Sequence, residues 1–387
     1  MEMKANNNFF VPEYMQDFQC IGKDCIDSCC IGWNVEIDKK TYEKYENSQN
    51  KQVKLISKKF LVKKDENSDI SYGKLADNKK CCPFLSKEKL CKAYNLLGKE
   101  SLSIGCSTYP RVIKKFDKIG FIAGDMSCPE IARLCLNKPN LKIRKVKKNK
   151  LLNIFNSKNV FTLEIPKKFP DKILKFIEEI FYNVNAPNTV FEFLEQLIIS
   201  YEKIYKNKNF KPFSKNEKEE IKENSLYIET KFLAKICFSN LTSESRYTKI
   251  CRKSAEKSKY FNNAESEFVK KFVNIYKTKF DKFRKKNNFV FKNFFINEYI
   301  KNIEDVIHSK DSFNDFVREV ILFLSLTNFL LVCQLFEDNK KLTINCYVEV
   351  LSAVIKKIQS SPKKNIIKNF LKKLDNDTLL TRLVDLY

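Results

Sequence analysis

The sequence predicts a mainly α-helical protein in which a cysteine-rich domain with few short strands, residues 1–145, precedes a helical domain, residues 146–387. Two observations lead to this division. Ten of the 14 cysteines lie between Cys20 and Cys135, and all seven glycines lie before residue 125. Glycine allows tight turns but weakens a helix interior by roughly 1 kcal/mol relative to alanine. A turn-rich first third and a glycine-free, helical remainder are therefore expected.

Apolar residues in the second predicted domain recur at three- and four-residue spacing, which is typical of amphipathic helices. Ser361 and Pro362 suit the cap and first turn of a final helix. We interpret the apolar stripes as core packing. The stripes run over residues 173–181, 190–205, 269–283, 351–358 and 367–374.

Strand-like sequence is limited to two short runs, residues 116–123 and 160–165. Strands and helices do not alternate along the chain as a doubly wound parallel sheet requires. The basic stretch over residues 138–150 is interpreted as a linker or an exposed edge.

The most apolar segment, residues 320–336, is only 17 residues long and contains serine, threonine, asparagine and glutamine. That length is at the bottom of the range for a membrane-spanning helix, so a buried core helix and no membrane span are expected. The N-terminal residues lack the apolar region of a signal peptide. We therefore expect a cytoplasmic protein, whose thiols stay reduced.

The net charge of +25 would attract acidic partners, nucleic acids among them. Only eight of the 72 basic residues are arginine, however, and recognition of phosphates and bases favours arginine forks. A solvated, lysine-coated surface is expected instead of a specific nucleic-acid site.

Several enzyme classes are excluded by what the sequence lacks. It has neither the GxGxxG turn of a dinucleotide fold nor the GxxxxGK[ST] loop of a P-loop protein. Its one histidine, His308, argues against histidine-ligated zinc and a histidine-based nucleophile triad. We expect His308 to be an exposed residue at a helix end.

The cysteines themselves indicate a metal. They begin with a C-x4-C-x3-C-C run at Cys20, Cys25, Cys29 and Cys30, and closely spaced thiols in a reducing compartment usually hold a metal. Zinc sites usually use CxxC pairs, which are missing here, whereas iron–sulfur clusters accept more varied spacing. An iron–sulfur cluster, zinc and no metal all stay open. The CxxxCxxC spacing of radical-generating enzymes is not met, because its last position is Gly32.

The remaining cysteines divide by position. We interpret the four scattered through the helical region as small core residues. The later cysteines of the first domain are Cys81, Cys82, Cys91, Cys106, Cys128 and Cys135, and the four of the helical region are Cys237, Cys251, Cys333 and Cys346.

A family resemblance rests on a colinear set of motifs. The run PEYMQDFQCIGKDCIDSCCIGWNVEIDKKTYEKY, residues 12–45, resembles the opening of the flagellin lysine-N-methylase family, which belongs to a wider group with a CxxxCxxCC-type cluster. The first cysteine spacing departs from that pattern. FFINEYI, residues 294–300, is similar less specifically. Further matches are CPFL at 82–85, LC at 90–91, LG at 97–98, CSTYPR at 106–111 and SCPEIARL at 127–134.

The resemblance implies an enzyme that moves a methyl group from S-adenosylmethionine to surface lysines of flagellin. It also implies a [4Fe–4S] cluster in residues 1–145, with zinc as the alternative metal. Four of the matching cysteines are expected per cluster. They are Cys20, Cys25, Cys29, Cys30, Cys82, Cys91, Cys106 and Cys128.

Two further residues are candidates for binding the cofactor. Trp33, the only tryptophan, would shield the cluster or stack on adenine or the sulfonium. Arg111 would pair with a carboxylate of the cofactor or form a structural salt bridge. We expect the S-adenosylmethionine site beside the cluster, between the two domains.

Methyl transfer to lysine needs a neutral amine, although free lysine has a pKa of about 10.4. A base near the cysteines would remove the proton, and the catalytic residue stays unassigned. Asp38 is most simply a helix N-cap. The carboxylates considered are Asp24, Asp27, Asp38, Asp125 and Glu130. The alternative function is a non-catalytic metal–thiolate protein that binds or delivers zinc or an iron–sulfur cluster.

Overall fold

A computed structural model describes most of the first 147 residues and much of the C-terminal third. Trp33, Ser361, Pro362 and the stripes over residues 190–205 and 367–374 lie outside the described residues, as does most of 173–181. The described segments are 8–32, 35–75, 81–116, 119–147, 163–165, 230–231, 233–239, 241–262, 264–308, 310–337 and 341–360, with isolated positions between 171 and 178.

The strands form two sheets. The strands are β1 Asn8–Pro12, β2 Val35–Ile37, β3 Leu61–Lys63, β4 Gly73–Leu75, β5 Arg111–Phe116, β6 Ile119–Gly124, β7 Ile143–Lys147 and β8 Leu163–Ile165. A five-stranded mixed sheet has the order β7-β1-β6-β5-β8, with β1 parallel to β6 and β5 parallel to β8. A three-stranded antiparallel sheet has the order β2-β4-β3.

Helices predominate among the described residues, which confirms the predicted mainly α class. The helices are α1 Lys39–Glu46, α2 Lys51–Phe60, α3 Lys92–Leu97, α4 Ile104–Thr108, α5 Pro129–Leu136, α6 Arg246–Ser258, α7 Glu265–Ile275, α8 Asp281–Lys286, α9 Asn288–Lys301, α10 Ile303–Val306, α11 Lys310–Gln334 and α12 Ile344–Gln359. A π-helical turn, Tyr276–Phe280, joins α7 to α8.

The sequence-based predictions of several elements are confirmed. The apolar stripes over residues 269–283 and 351–358 lie on α7, α8 and α12, where their side chains are mostly buried. Strands occur within both runs that were predicted to be strand-like. Residues 143–147 of the basic stretch form the edge strand β7, which is mostly exposed, and His308 is exposed just after α10.

The buried apolar side chains of the described residues form two separate cores. The large core extends from Phe9 in β1 to Ile358 in α12, and we call the five-stranded sheet and its helices the body. The small core lies within residues 35–75 and 81–108, which we call the cysteine lobe. The large core includes residues on both sides of the predicted boundary at 145/146, and that boundary stays a prediction.

Helix α9 fastens the sheet to α5 through two asparagines one turn apart. Asn297 accepts from the backbone N–H of Gly124 at 3.1 Å and donates to its carbonyl at 2.8 Å, while the Tyr14 hydroxyl also donates to Asn297. Asn293 donates to the carbonyls of Cys135 and Lys138, at 2.9 and 2.7 Å. These bonds fix both ends of the segment that carries Cys128.

Helix α11 contains the apolar segment expected to be a core helix. Its stretch Asp315–Gln334 is long and apolar enough to cross a membrane, yet 89% of the most apolar window is buried inside the fold. Core helices of soluble proteins meet the same criteria of length and composition. These two properties alone therefore do not make α11 a membrane span.

Candidate functional site

Four motif cysteines lie on one segment, residues 20–32, which we call the cysteine loop. Gly22 and Gly32 adopt φ values of 55° and 89° there, a left-handed conformation that glycine tolerates best. The carbonyl of Cys30 accepts from the N–H of Cys82 at 2.7 Å. This bond fastens the cysteine loop to the cysteine lobe.

Two further motif cysteines, Cys91 and Cys128, occupy the N-cap positions of α3 and α5. Burial raises the pKa of Cys91, although the backbone N–H groups of Tyr94 and Ala93 lower it. Burial likewise raises the pKa of Cys128 to about 12, against the lowering effect of the N–H groups that begin α5. Cys106 lies in α4, whose N-cap is Ser103.

Five thiols form one group, which we call the five-thiol group: Cys29, Cys30, Cys82, Cys91 and Cys106. A hydrogen-bonding interaction with Cys30, followed by burial, raises the pKa of Cys29 far above its ordinary value. The same bond lowers the pKa of Cys30, but a hydrogen bond with Cys82 and burial outweigh it and raise that pKa to about 12. Burial raises the pKa of Cys106 to about 11, with contributions from Cys91 and Cys29.

The other three motif cysteines form the three-thiol group: Cys20, Cys25 and Cys128. After burial, electrostatic interactions with Cys25 and Cys20 contribute to the raised pKa of Cys128. Cys20 likewise contributes to the raised pKa of Cys25, whose largest cause is burial. All eight motif cysteines thus fall into two sets of electrostatic neighbours.

Tyr109, from the CSTYPR motif, is an electrostatic neighbour of cysteines from both thiol groups. Its hydroxyl is 3.1 Å from Ser127 Oγ. Burial raises the pKa of Tyr109 well above its ordinary value, and Cys128, Asp125 and Cys29 contribute to the rise. Because Cys128 and Cys29 belong to different groups, Tyr109 shows that the groups are adjacent.

The thiols suit a metal in kind and number, but they do not converge on one point. All 14 cysteines are free, yet no three His, Cys, Asp or Glu side chains in the described segments are placed to hold one metal ion. Holding a metal would therefore require several thiols to turn toward a common centre. Six of the motif thiols have a raised pKa, which favours their protonated form at neutral pH, so a metal that binds these groups as thiolates has to displace protons. The six are Cys25, Cys29, Cys30, Cys91, Cys106 and Cys128.

Arg111 lies beside the three-thiol group. Its guanidinium carbon is 4.8 Å from the centre of the Phe18 ring. Burial lowers the pKa of Arg111, while Cys20 and Cys128 act in the opposite direction. The positive charge of Arg111 thus faces two motif thiols.

Three of the carboxylates considered as bases have structural roles. Asp38 caps α1, as predicted, by accepting from the N–H of Thr41 at 3.0 Å, and it also accepts from the N–H of Ile104 at 2.9 Å. Glu130 forms a two-pronged pair with Arg133 at 2.6 and 2.7 Å. Asp27 pairs with two cations of the body.

The remaining two carboxylates, Asp24 and Asp125, make no ion pair within the described part of the chain. Asp24 is exposed on the cysteine loop. Asp125 is half-buried before Cys128, where it accepts from the N–H of Ser127 at 2.9 Å and from the side chain of Gln359 at 3.4 Å. Asp125 therefore sits close to the thiols while keeping hydrogen-bonding capacity.

The cysteines outside the motifs have different surroundings. Cys237, Cys251 and Cys333 are buried in the large core, as predicted, and Cys346 is half-buried. Cys135 is also fully buried, where its thiol lies 3.7 Å from the carbonyl of Asn293.

Several residues that shape this region were missed in the sequence. Arg246 and Lys356 contact the cysteine loop from more than 200 residues away, and no local pattern marks them, although Arg246 is one of only eight arginines. Asn293 and Asn297 carried a clearer signal, because two polar residues one turn apart interrupt a strongly apolar helix.

The chain is related to named bacterial proteins over a third of its length. It is 32% identical over 130 residues to the flagellar biosynthetic protein FliU of Salmonella muenchen, a match that covers 33% of this chain and 77% of that protein. The same identity over 130 residues relates it to proteins named Lysine-N-methylase in Salmonella choleraesuis and Salmonella typhimurium. The match spans 32% of the length of each of those two proteins.

No protein-family model and no solved structure matches the chain. The relationship therefore rests on the relatives and on the motifs that carry the eight cysteines. Since the chain is 32% identical to FliU and covers most of its length, it belongs to the flagellin lysine-N-methylase family.

Proposed function

We propose that this protein is an S-adenosylmethionine-dependent protein-lysine N-methyltransferase that acts on surface lysines of flagellin, with a [4Fe–4S] cluster held by its motif cysteines. One structural observation carries the proposal. The eight cysteines matched by the family motifs lie in two adjacent groups, whereas Cys135, outside the motifs, is buried in the large core. The names of the relatives support the lysine-methylating activity and the flagellar substrate.

The five-thiol group supplies the thiolates for the cluster. A [4Fe–4S] cluster takes four cysteine ligands, and this group contains one more than that number. When bound, the cluster supplies a rigid framework that fixes the cysteine loop relative to the cysteine lobe. A zinc ion on four of the same thiols is the alternative metal.

The chemical step itself is a displacement. The lysine nitrogen attacks the methyl carbon of the sulfonium, the N–C bond forms as the S–C bond breaks, and the amine proton passes to a base. We assign the base to Asp125, because Asp27, Asp38 and Glu130 are engaged in ion pairs or backbone hydrogen bonds and Asp24 is exposed to solvent. Arg111 binds the carboxylate of S-adenosylmethionine beside the three-thiol group.

Anaerobic purification tests the metal. A brown protein with equal amounts of iron and acid-labile sulfide is expected. The double variant Cys82→Ser/Cys91→Ser leaves only three thiols in the five-thiol group and should lose the colour. Cys346→Ser is the matched control, because Cys346 is a half-buried cysteine outside the motifs. A colourless protein, with or without zinc, would overturn the iron–sulfur assignment.

Incubation with S-adenosylmethionine and flagellin tests the activity. Flagellin peptides should gain the mass of one or more methyl groups on lysine. Soaking with S-adenosylhomocysteine should place the ligand beside Arg111. A metal-containing protein that leaves flagellin unmodified would favour the alternative, a non-catalytic protein that binds or delivers the metal.

A further inference from the structure

Asp27 lies on the cysteine loop between Cys25 and Cys29, and its carboxylate contacts two helices of the body. Oδ2 is 3.2 Å from a guanidinium nitrogen of Arg246, at the start of α6. Oδ1 is 2.9 Å from the ammonium of Lys356, near the end of α12. One carboxylate thus joins the cysteine loop to two cations that lie far from it in sequence.

Both cations are held in place by other bonds. Lys356 also donates to the carbonyl of Ser28 at 2.7 Å. Arg246 donates to the hydroxyl of Ser352 at 3.0 Å and to the carbonyl of Glu349, both on α12. Arg246 is therefore held by α12 and presents its charge to the loop in a fixed direction.

The ion pairs are shielded from solvent. The side chains of Asp27, Lys356 and Arg246 are 10%, 12% and 16% exposed. Pairs this buried are screened only weakly by salt, and removing one partner leaves uncompensated charge in the interior. Loss of the Asp27 charge would leave two neighbouring cations without their shared anion.

The other side of the cysteine loop is held by the cysteine lobe. The carbonyl of Cys30 accepts from the N–H of Cys82, and Ile31 pairs with Cys81 in an isolated bridge. The loop therefore spans the two parts of the molecule, bonded to the lobe at its end and to the body at Asp27.

We propose that Asp27 is a positioning residue through which α6 and α12 set the placement of Cys25, Cys29 and Cys30, so that retention of the metal depends on these distant helices. The dependence on metal rests on the proposed function. The positioning itself rests on the ion pairs, and the two can be tested separately.

Hydrogen exchange of the cysteine loop tests the positioning without any metal. Asp27→Asn keeps the side-chain shape and removes the charge, while Lys356→Met removes one partner from outside the loop. Each should speed exchange of amides over residues 20–32 about tenfold, equivalent to about 1.4 kcal/mol. Because the two residues share one interaction, the free-energy effect of the double variant on exchange should be much smaller than the sum of the two single-variant effects.

Two matched controls make the test specific. Asp24→Asn removes an exposed charge from the same loop, and Lys357→Met removes an exposed charge from the same helix. Neither should change exchange of the loop. Unchanged exchange in Asp27→Asn, or an equal effect in Asp24→Asn, would overturn the proposal.

Metal release provides the second measurement. In protein purified with metal, Asp27→Asn and Lys356→Met should lose it to a chelator about tenfold faster than the controls, the same factor as for exchange. Faster exchange with unchanged metal release would overturn the link between positioning and metal retention. Protein purified without any metal would contradict the proposed function, and hydrogen exchange would still decide whether Asp27 positions the loop.

Discussion

The cysteine lobe and the body differ in what holds them together. The body is packed around a core that draws on both sheet and helices, from Phe9 to Ile358. Among the described residues, the lobe has a small core of eight buried side chains, one of which is the motif cysteine Cys82. Small cores rarely suffice for stability, and natural proteins supplement them with disulfides or metals. We therefore expect the stability of the lobe to depend more strongly on its thiols than the stability of the body does.

The two thiol groups follow the same division. Three members of the five-thiol group, Cys82, Cys91 and Cys106, belong to the cysteine lobe, and Cys29 and Cys30 come from the loop. The three-thiol group is anchored in the body, because Cys128 occupies the N-cap position of α5, which packs against α9 and α12. We therefore expect loss of metal to affect the lobe first and the catalytic step to depend on the body.

Removing the metal should have the largest effect and is the sharpest test of this contrast. If the proposed metal is bound, anaerobic chelation should speed amide exchange in the lobe by at least about 1,000-fold, because metal binding in small domains contributes directly to folding. The N–H groups of Cys82 and Lys92, bonded to Cys30 and Phe84, are suitable reporters. Amides of β5 and β6 should stay protected, and equal loss of protection in both parts would contradict the contrast.

Replacing Asn297 should destabilise the body without emptying the metal site. Asn297→Ala removes the two bonds to Gly124 and the bond from Tyr14, leaving buried polar groups unpaired. The expected loss is about 3 kcal/mol in free energy of unfolding, measured with urea. Asn302→Ala is the control, because it removes one bond, to the carbonyl of Glu298, and should cost less than about 1 kcal/mol.

Replacing Asp125 tests whether the catalytic step depends on residues of the body and is separate from the binding of the metal. Asp125→Asn should lower the rate of flagellin methylation about 100-fold, the typical contribution of a general base, with metal content unchanged. Asp24→Asn, an exposed carboxylate in the same region, is the control. If both variants keep full activity, the base is another group; if Asp125→Asn also loses its metal, the separation of roles is wrong.

Features that depend on residues close together in the sequence could be predicted, whereas features that depend on distant residues could not. Asp38 as the cap of α1 was predictable, because capping depends on residues three positions apart. The helical stripes on α7 and α12 were predictable for the same reason. The five-stranded sheet was not, since β1 pairs with β6 and β7 across more than 100 residues, and strands of five or six residues give little periodic signal.

The candidate site shows the same limit. Cysteine spacing and motifs predicted the eight thiols as candidate ligands, which stays a prediction. No spacing divides them into five and three, because Cys29 and Cys25 lie on one loop and belong to different groups. The roles of the carboxylates also depended on distant partners. Asp27 could not be distinguished from Asp24 in the sequence, since Arg246 and Lys356 lie more than 200 residues away.

Asp38 gives the smallest expected effect and shows how the lobe holds Cys106. Its carboxylate accepts from the N–H and hydroxyl of Thr41 in α1 and from the N–H of Ile104 in α4. Asp38→Ala should cost about 2 kcal/mol, near the upper end for loss of a cap, and should speed exchange in the lobe only. Asn50→Ala, which removes the cap of α2, should cost about 1 kcal/mol and leave Cys106 in place. Since Asp38, unlike Asn50, also accepts from the N–H of Ile104 in α4, Asp38→Ala should also speed release of the proposed metal. Equal metal release in the two variants would show that Cys106 is held independently of the cap.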